Sequence, residues 1–328
     1  MPTNLPPEYF DAEERFRAAA TDQERIVCLE EMLAAIPKHK GTDRLRGDYR
    51  RKLSHLREAV QAHKKASRHE SAFHIEREGP ARVVIVGAPN AGKSALLAAV
   101  THATPRISEY PFTTGVPLPG MMPLRDIHVQ LIDTPPVSKA HVEHELFNLI
   151  HTADLIALLV DVQAEPLGQF EEVRELLTAH HVKLGSKGND QPEAGSGRAI
   201  PSLVLVNKVD DDFWEEEFLA FTGLLGDTWP VMAISVASAR NLDEMREAVY
   251  DSLGIIRVYS KQPGKPAELH APFVLKKGDT VAHFAAKVHK DFVHHLKSAR
   301  IWGTGVHDGQ MVGRDHILYD GDVVELHG

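Results

Sequence analysis

Cysteine is nearly absent: Cys28 is the single one in 328 residues, so no internal disulfide can form, and no Cys/His spacing suits a structural metal. Long apolar runs are missing as well. Stretches such as Leu155 to Val160 are far too short to cross a bilayer, and the opening MPTNLPPEYF has no basic region followed by an apolar one. Secretion and membrane insertion are therefore not expected, and a reducing, cytoplasmic setting is. Positive charge is also in deficit, with Lys+Arg 37 against Asp+Glu 46 and a net charge of −9. The deficit is uneven. Basic against acidic residues number 15 to 14 over 1–79, 12 to 24 over 80–254 and 10 to 8 over 255–328. Only Lys38 to Arg68, with eleven basic and three acidic residues, has the excess that a polyanion-binding surface needs.

What is present is a composition of 43% hydrophobic and 25% charged residues, ordinary for a globular protein, at a length that calls for two or three domains. Residues 10–36 place Ile26, Leu29, Leu33 and Ile36 on one helical face, and Cys28 is expected to pack there. Pro37 and Gly41 break the helix, and a second follows through Leu45, Tyr49, Leu53, Leu56 and Val60. The pair predicts a helical hairpin with a basic tip at PKHKGT. From Ala81 the pattern turns to β-branched runs, ARVVIVG, IHVQLIDT, DLIALLVDV, SLVLVN and VMAIS, mostly separated by helical segments. This predicts a doubly wound, mostly parallel sheet. Between His181 and Ala199 a polar, Gly-rich stretch reads as a surface loop. After Gly254, short strands (IIRVYS, PFVLKKGDT, ARIWG, DVVELHG) surround one helix through Val281, Phe284, Val288, Phe292 and Leu296, which predicts a small α+β module. The expected domains are thus a basic helical arm (1–79), an α/β domain (80–254) and a C-terminal module (255–328).

The chemistry is carried first by Gly87-Ala-Pro-Asn-Ala-Gly92-Lys93-Ser94, between a strand and the helical run ALLAAV. This is the P-loop arrangement. Glycines let the backbone wrap a phosphate, and the helix N-terminus offers unpaired N–H groups. Gly87, Asn90, Ala91, Gly92, Lys93, Ser94 and Ala95 would line the phosphates, with Lys93 on the β- and γ-phosphates and Ser94 on Mg²⁺. Asp133, ending the strand IHVQLID, stands where a second Mg²⁺ contact belongs. Asn207-Lys208-Val209-Asp210 ends another strand, where Asp210 can accept both N–H donors of guanine's Watson–Crick edge. Adenine would leave that carboxylate unpaired, so GTP and GDP are expected rather than ATP.

These motifs, with Tyr110-Pro-Phe-Thr-Thr114 and Asp133-Thr-Pro, resemble the Obg superfamily of GTPases and within it the developmentally regulated GTP-binding (DRG) family. Residues 255–328, including IIRVYSKQPGKP, VHKDFV and DHILYDGDVVEL, resemble that family's TGS domain, a ubiquitin-like β-grasp fold. The hairpin around IPKHKGTDRLRGDYRRKLSHL is similar to its N-terminal helical region.

The resemblance implies that Thr114, ahead of Thr113, is the switch I residue that joins Ser94 and Asp133 on Mg²⁺, and that Lys93 and Thr114 serve catalysis. It places Asn90 where related GTPases hold K⁺, and Ser235 and Val236 in the base-contacting loop, with Val236 in place of the usual Ala. It also implies contact with the ribosome or structured RNA through Lys38–Arg68 and the TGS domain, for which a protein partner is equally allowed.

Two features depart from the family. Pro136 replaces the Gly whose N–H meets the γ-phosphate, and Pro has no N–H. Val137 stands where Ras-like GTPases keep a water-orienting Gln; His141 and His144 just downstream could position water, but two His on a polar helix are more often solvated surface. Slow GTP hydrolysis and a non-hydrolysing guanine-nucleotide sensor are both compatible with such a switch. The second departure is an absence, since the domain inserted in the G domain of eukaryotic and archaeal relatives has no counterpart beyond the loop at 182–198.

Overall fold

The computed structural model describes residues 6–19, 22–37, 42–101, 115–138, 143–185, 199–289 and 295–327, with backbone alone at 18, 22–23 and 59–72. The chain forms two compact units, Met1–His74 and Ile75–Gly328.

Among the described residues the first unit is built of α1 (Pro7–Ala18), α2 (Asp22–Ala35) and α3 (Asp43–Phe73). Pro7 opens α1 in the first turn, where its missing N–H costs nothing. Ala19 then leaves helical geometry at φ −61°, ψ 124°, so the segment read as one helix over 10–36 is two. The predicted apolar face is real: Ile26, Leu29 and Ile36 are buried together with Cys28 and Met32. Tyr9 and Ala12 of α1 complete this small core, and Leu45, Tyr49, Leu53 and Leu56 of α3 pack on it half-buried. Arg46 caps the end of α2, its guanidinium donating to the carbonyls of Leu33 (3.1 Å) and Ile36 (2.6 Å) that the helix leaves unpaired. The basic tip at 38–41 and the side chain of Val60 lie outside the described residues.

The second unit carries two sheets. In the first, β2 (Leu118–Leu124), β3 (Ile127–Asp133), β1 (Arg82–Gly87), β4 (Leu155–Asp161) and β6 (Ile200–Asn207) lie side by side in that order. The short strands β5 (Leu184–Gly185) and β7 (Val231–Ala233) both pair with β6. Every pairing is parallel except β2 with β3. Every residue of β1 and β4 is buried, as strands covered on both faces require. The sequence reading passed over β2 because LPGMMPL holds two prolines and a glycine. Proline cannot donate to a ladder, and it is tolerated here because β2 is the edge strand. Helices α4 (Lys93–Val100), α5 (His144–His151), α6 (Pro166–Ala179), α7 (Asp212–Leu225) and α8 (Leu242–Leu253) accompany the sheet.

The second sheet is the C-terminal module: β8 (Ile255–Ser260), β9 (Phe273–Lys276), α9 (Val281–Val288), β10 (Ser298–Trp302), β11 (Gln310–Val312) and β12 (Asp322–His327). Its order is β11-β10-β12-β8-β9, with β12 and β8 parallel and the other pairs antiparallel, a β-grasp arrangement. Val281, Phe284 and Leu296 join Ile256, Val258, Ile301 and Val324 in its core. The described helix ends at Val288, and Phe292 lies outside the described residues. Trp302 of β10 is half-buried outside that cluster, with the Lys261 ammonium 4.6 Å from its ring centroid. A Lys over an indole face is a weakly favourable cation–π contact.

Candidate nucleotide site

Strand β1 delivers Gly87 to the mouth of the sheet, and the packing there explains the glycine. A Cβ at this position would stand 2.3 Å from the Leu159 carbonyl oxygen of β4. Asn90 turns the loop in the left-handed region at φ 62°, a conformation Asn adopts more readily than most residues. That gives Asn90 a backbone reason independent of any bound cation. Gly92 sits at φ 98°, and a Cβ there would meet the Asn207 amide nitrogen at 2.4 Å. The loop then enters α4 at Lys93, with Ala91 buried and Ser94 and Ala95 exposed at its rim.

Lys93 is buried, and its ammonium donates to the carbonyls of Gly87 (3.0 Å) and Ala88 (2.9 Å). Burial pushes its pKa down to about 8, against the pull of the Asp133 charge. Ser94 Oγ donates to Asp133 Oδ2. Burial raises the Asp133 pKa, opposed by the Ser94 hydrogen bond and the Lys93 charge. Its other oxygen, Oδ1, is fully buried and has no hydrogen-bond partner among the described residues. An orphaned carboxylate oxygen beside a hydroxyl is the donor set of a hard cation such as Mg²⁺, with phosphate oxygens completing the shell. Among the described residues no group of three or more His, Cys, Asp or Glu side chains is arranged to hold a metal without such help.

The second half of the site gathers at the ends of β6 and β4. Asn207 donates from Nδ2 to the Ala91 carbonyl (2.9 Å) and accepts at Oδ1 from the Val236 N–H (3.2 Å). One side chain thus ties the P-loop to the Ser235–Val236 loop. Lys208, at φ 68°, pairs with Asp161 at 2.5 Å. Asp210 accepts from Ser235 Oγ (2.5 Å) at Oδ1 and from Gln163 Nε2 (3.3 Å) at Oδ2, which holds the carboxylate edge in place. Asp161 and Gln163 were not foreseen, since no motif surrounds them. The available signal was an acidic residue closing a β-branched run, and the fold puts Asp161 in register with Asn207 on the neighbouring strand.

Thr113, Thr114 and His141 lie outside the described residues. His144 makes an edge contact with His180, ring centroids 5.3 Å apart. Val137 is buried beneath the P-loop and its N–H donates to the Gly87 carbonyl at 3.2 Å. An apolar side chain so placed cannot orient water.

Residues 82–187 match the model of the 50S ribosome-binding GTPase family, and 256–327 match that of the TGS domain. A GTP-binding protein of Methanocaldococcus jannaschii is 29% identical, covering 93% of this chain and 92% of its own. Ribosome-interacting GTPase 1 of Saccharomyces cerevisiae is 26% identical, over 94% and 99%. The chain belongs to the Obg-family GTPases that carry a TGS domain. Within that family it is related to the DRG proteins, as shown by human developmentally-regulated GTP-binding protein 2, 24% identical over 92% of this chain and 98% of the other. The alignment to the archaeal protein runs over 363 positions yet uses 93% of a 328-residue chain, so that relative carries residues with no counterpart here. The YchF GTPase of Schizosaccharomyces pombe has the same fold at 13% identity, with a TM-score of 0.52 over 77% of this chain and 99% of that one. So does a GTP binding protein from Pyrococcus horikoshii, at 16%, TM-score 0.50, over 75% and 99%. No described helix of this Obg-family chain is long and apolar enough to cross a membrane.

Proposed function

We propose that this Obg-family chain binds GTP and GDP with Mg²⁺ and hydrolyses GTP slowly, as a switch that docks on the ribosome or structured RNA. The observation that carries this reading is the joined pocket. Lys93 and the Ser94–Asp133 pair stand at one end, Asp210 at the other, and Asn207 links the two loops. Ser94 and Asp133, with Thr114 from switch I, would hold Mg²⁺, which neutralises charge on the transferring phosphoryl group. Lys93 exchanges its two loop carbonyls for β- and γ-phosphate oxygens. Asp210 selects guanine, and the backbone of Ser235 and Val236 closes over the base.

Bringing phosphate against Lys93 restores the charge that burial disfavours. Near pH 8 the free ammonium is about half protonated, so triphosphate binding is expected to take up as much as about half a proton. Uptake should fall away toward pH 6. Calorimetric titration in buffers of different ionisation enthalpy reads this directly, and a buffer-independent enthalpy at pH 8 would contradict it.

Hydrolysis is tested by phosphate release with and without ribosomal subunits, in KCl and in NaCl. Release above background that vanishes in Lys93→Ala supports an enzyme, and equal rates in the two salts remove any role for K⁺ at Asn90. One observation favours the alternative of a non-hydrolysing sensor. Pro136 has no N–H, and the next N–H, that of Val137, already serves Gly87. Nucleotide binding without release would establish that reading.

The arm has less free charge than its composition indicates. Arg46 is spent on the α2 cap, Arg57 pairs with Glu30 and Arg51 with Asp48. Exposed pairs of this kind are weak and exchangeable. Arg44, Arg50 and Lys52 remain exposed along α3. Arg44→Glu, Arg50→Glu and Lys52→Glu together are expected to reduce cosedimentation with 50S subunits about tenfold or more and to flatten its salt dependence. GDP affinity should stay unchanged.

A further inference from the structure

The TGS domain meets the G domain through a polar cluster that the nucleotide reading does not use. Arg125 and Asp126 form the turn between β2 and β3, with Arg125 at φ 55°. Arg125 donates to Glu247 of α8 (3.0 and 2.6 Å) and to Asp320 of the TGS domain (2.9 Å), and its guanidinium lies 3.9 Å from the Tyr250 ring centroid. Asp126 accepts from Arg257 (2.7 Å) and from the Tyr259 hydroxyl, both on β8. Asp320 is the hub. It receives the Tyr250 hydroxyl, the Arg257 backbone N–H (2.8 Å), both Arg257 Nε (3.1 Å) and its terminal nitrogen (2.8 Å), and Arg125. Three separate segments converge on one carboxylate.

The bonds of Arg257 and Tyr250 to Asp320 are partly buried, whereas those of Arg125 and Asp126 are exposed. The Arg257 side chain is 17% exposed. Burial alone would raise the Asp320 carboxyl, but the Arg257 and Tyr250 hydrogen bonds hold it at about 2. Beside the cluster, Ile255 and Val274 of the TGS domain pack against the G-domain core that contains Val249 and Tyr250. The cluster therefore fixes orientation where the apolar contact supplies adhesion.

What the cluster grips is the tip of a hairpin whose far end is part of the pocket. β3 runs from Ile127 to Asp133, about 20 Å at strand rise. It is bonded on both sides, to β2 along its whole length and to β1 through the pair Ile85 and Asp133. A strand held on both edges moves as a body, and a two-ended element of this kind can carry coupling.

We propose that the β2–β3 hairpin couples the nucleotide site to the TGS domain through the Asp126 and Asp320 clamps, so that nucleotide at one end changes the state of the TGS domain at the other. The proposal rests on reading the Gly87–Ser94 loop as a nucleotide pocket. By linkage, whatever binds the TGS domain alters nucleotide affinity by the same factor.

Hydrogen–deuterium exchange on the full chain tests it, without nucleotide, with GDP and Mg²⁺, and with a non-hydrolysable GTP analogue and Mg²⁺. In the wild type, the GTP analogue is expected to slow exchange across 82–100 and to change it at least threefold in 255–260 and 318–327. In Asp320→Asn, and independently in Asp126→Asn at the exposed turn, the response at 82–100 remains and that of the TGS segments is lost. Circular dichroism on both variants confirms that they are folded. A wild type that responds at 82–100 but nowhere in the TGS domain overturns the proposal, as does a response that survives in both variants. Silence at 82–100 itself indicts the nucleotide reading and takes the coupling down with it.

Discussion

Lys93→Ala is expected to weaken GTP binding at least about 100-fold and to bring phosphate release to background. The reason lies in how the loop holds the ammonium. Lys93 is buried, its pKa is pushed to about 8, and two backbone carbonyls are its only described hydrogen-bond partners. Holding a cation in that way is costly without a counterion, and a triphosphate supplies one. Truncation removes the charge together with its desolvation cost, so the thermal melting of the nucleotide-free variant should stay close to wild type. Fluorescent-nucleotide titration and a melting curve on the same sample check both halves. A variant that binds GTP normally would show that the loop does not grip the phosphates through Lys93.

Asp210→Asn is expected to lower GDP affinity on the order of 1,000-fold and to raise affinity for xanthosine diphosphate. Guanine presents two donors, the ring N1–H and the 2-amino group, toward a carboxylate with two acceptors. Ser235 and Gln163 fix that carboxylate's position before any base arrives. An amide offers one acceptor and one donor, and its donor opposes the 2-amino group. Xanthine carries a carbonyl there, which the amide can satisfy. Competition titration with GDP, XDP and ADP separates the cases, and unchanged GDP affinity would place the base elsewhere. Lys93 and Asp210 lie at opposite ends of the pocket, so their effects are expected to add.

Much of this was legible along the chain because certain interactions are local. The P-loop is contiguous, its glycines answer to backbone geometry within a few residues, and alternating β-branched runs and helical periods announced the α/β class. β2 was illegible, because its prolines contradict strand propensity and only an edge position reconciles them. The break at Ala19 was hidden because the periodic residues Ile26, Leu29, Leu33 and Ile36 all lie beyond it and the alanines at 18–20 are strong helix formers.

By itself, the sequence determined the residue types and spacing of Gly87–Ser94, Asp133 and Asn207–Asp210, from which a phosphate-wrapping loop, a metal-directed carboxylate and a guanine-reading carboxylate are proposed, because those functions demand fixed residue types at short spacing. It also determined that Pro136 cannot donate a backbone hydrogen bond. Only the tertiary structure decided that Asn207 clamps the P-loop, that Asp161 and Gln163 support Lys208 and Asp210, and that Arg125, Asp126, Arg257 and Asp320 join two domains. Such contacts link residues dozens to nearly two hundred positions apart. Their energies depend on burial and on which partners the folded chain brings within hydrogen-bond reach, and no local pattern encodes that.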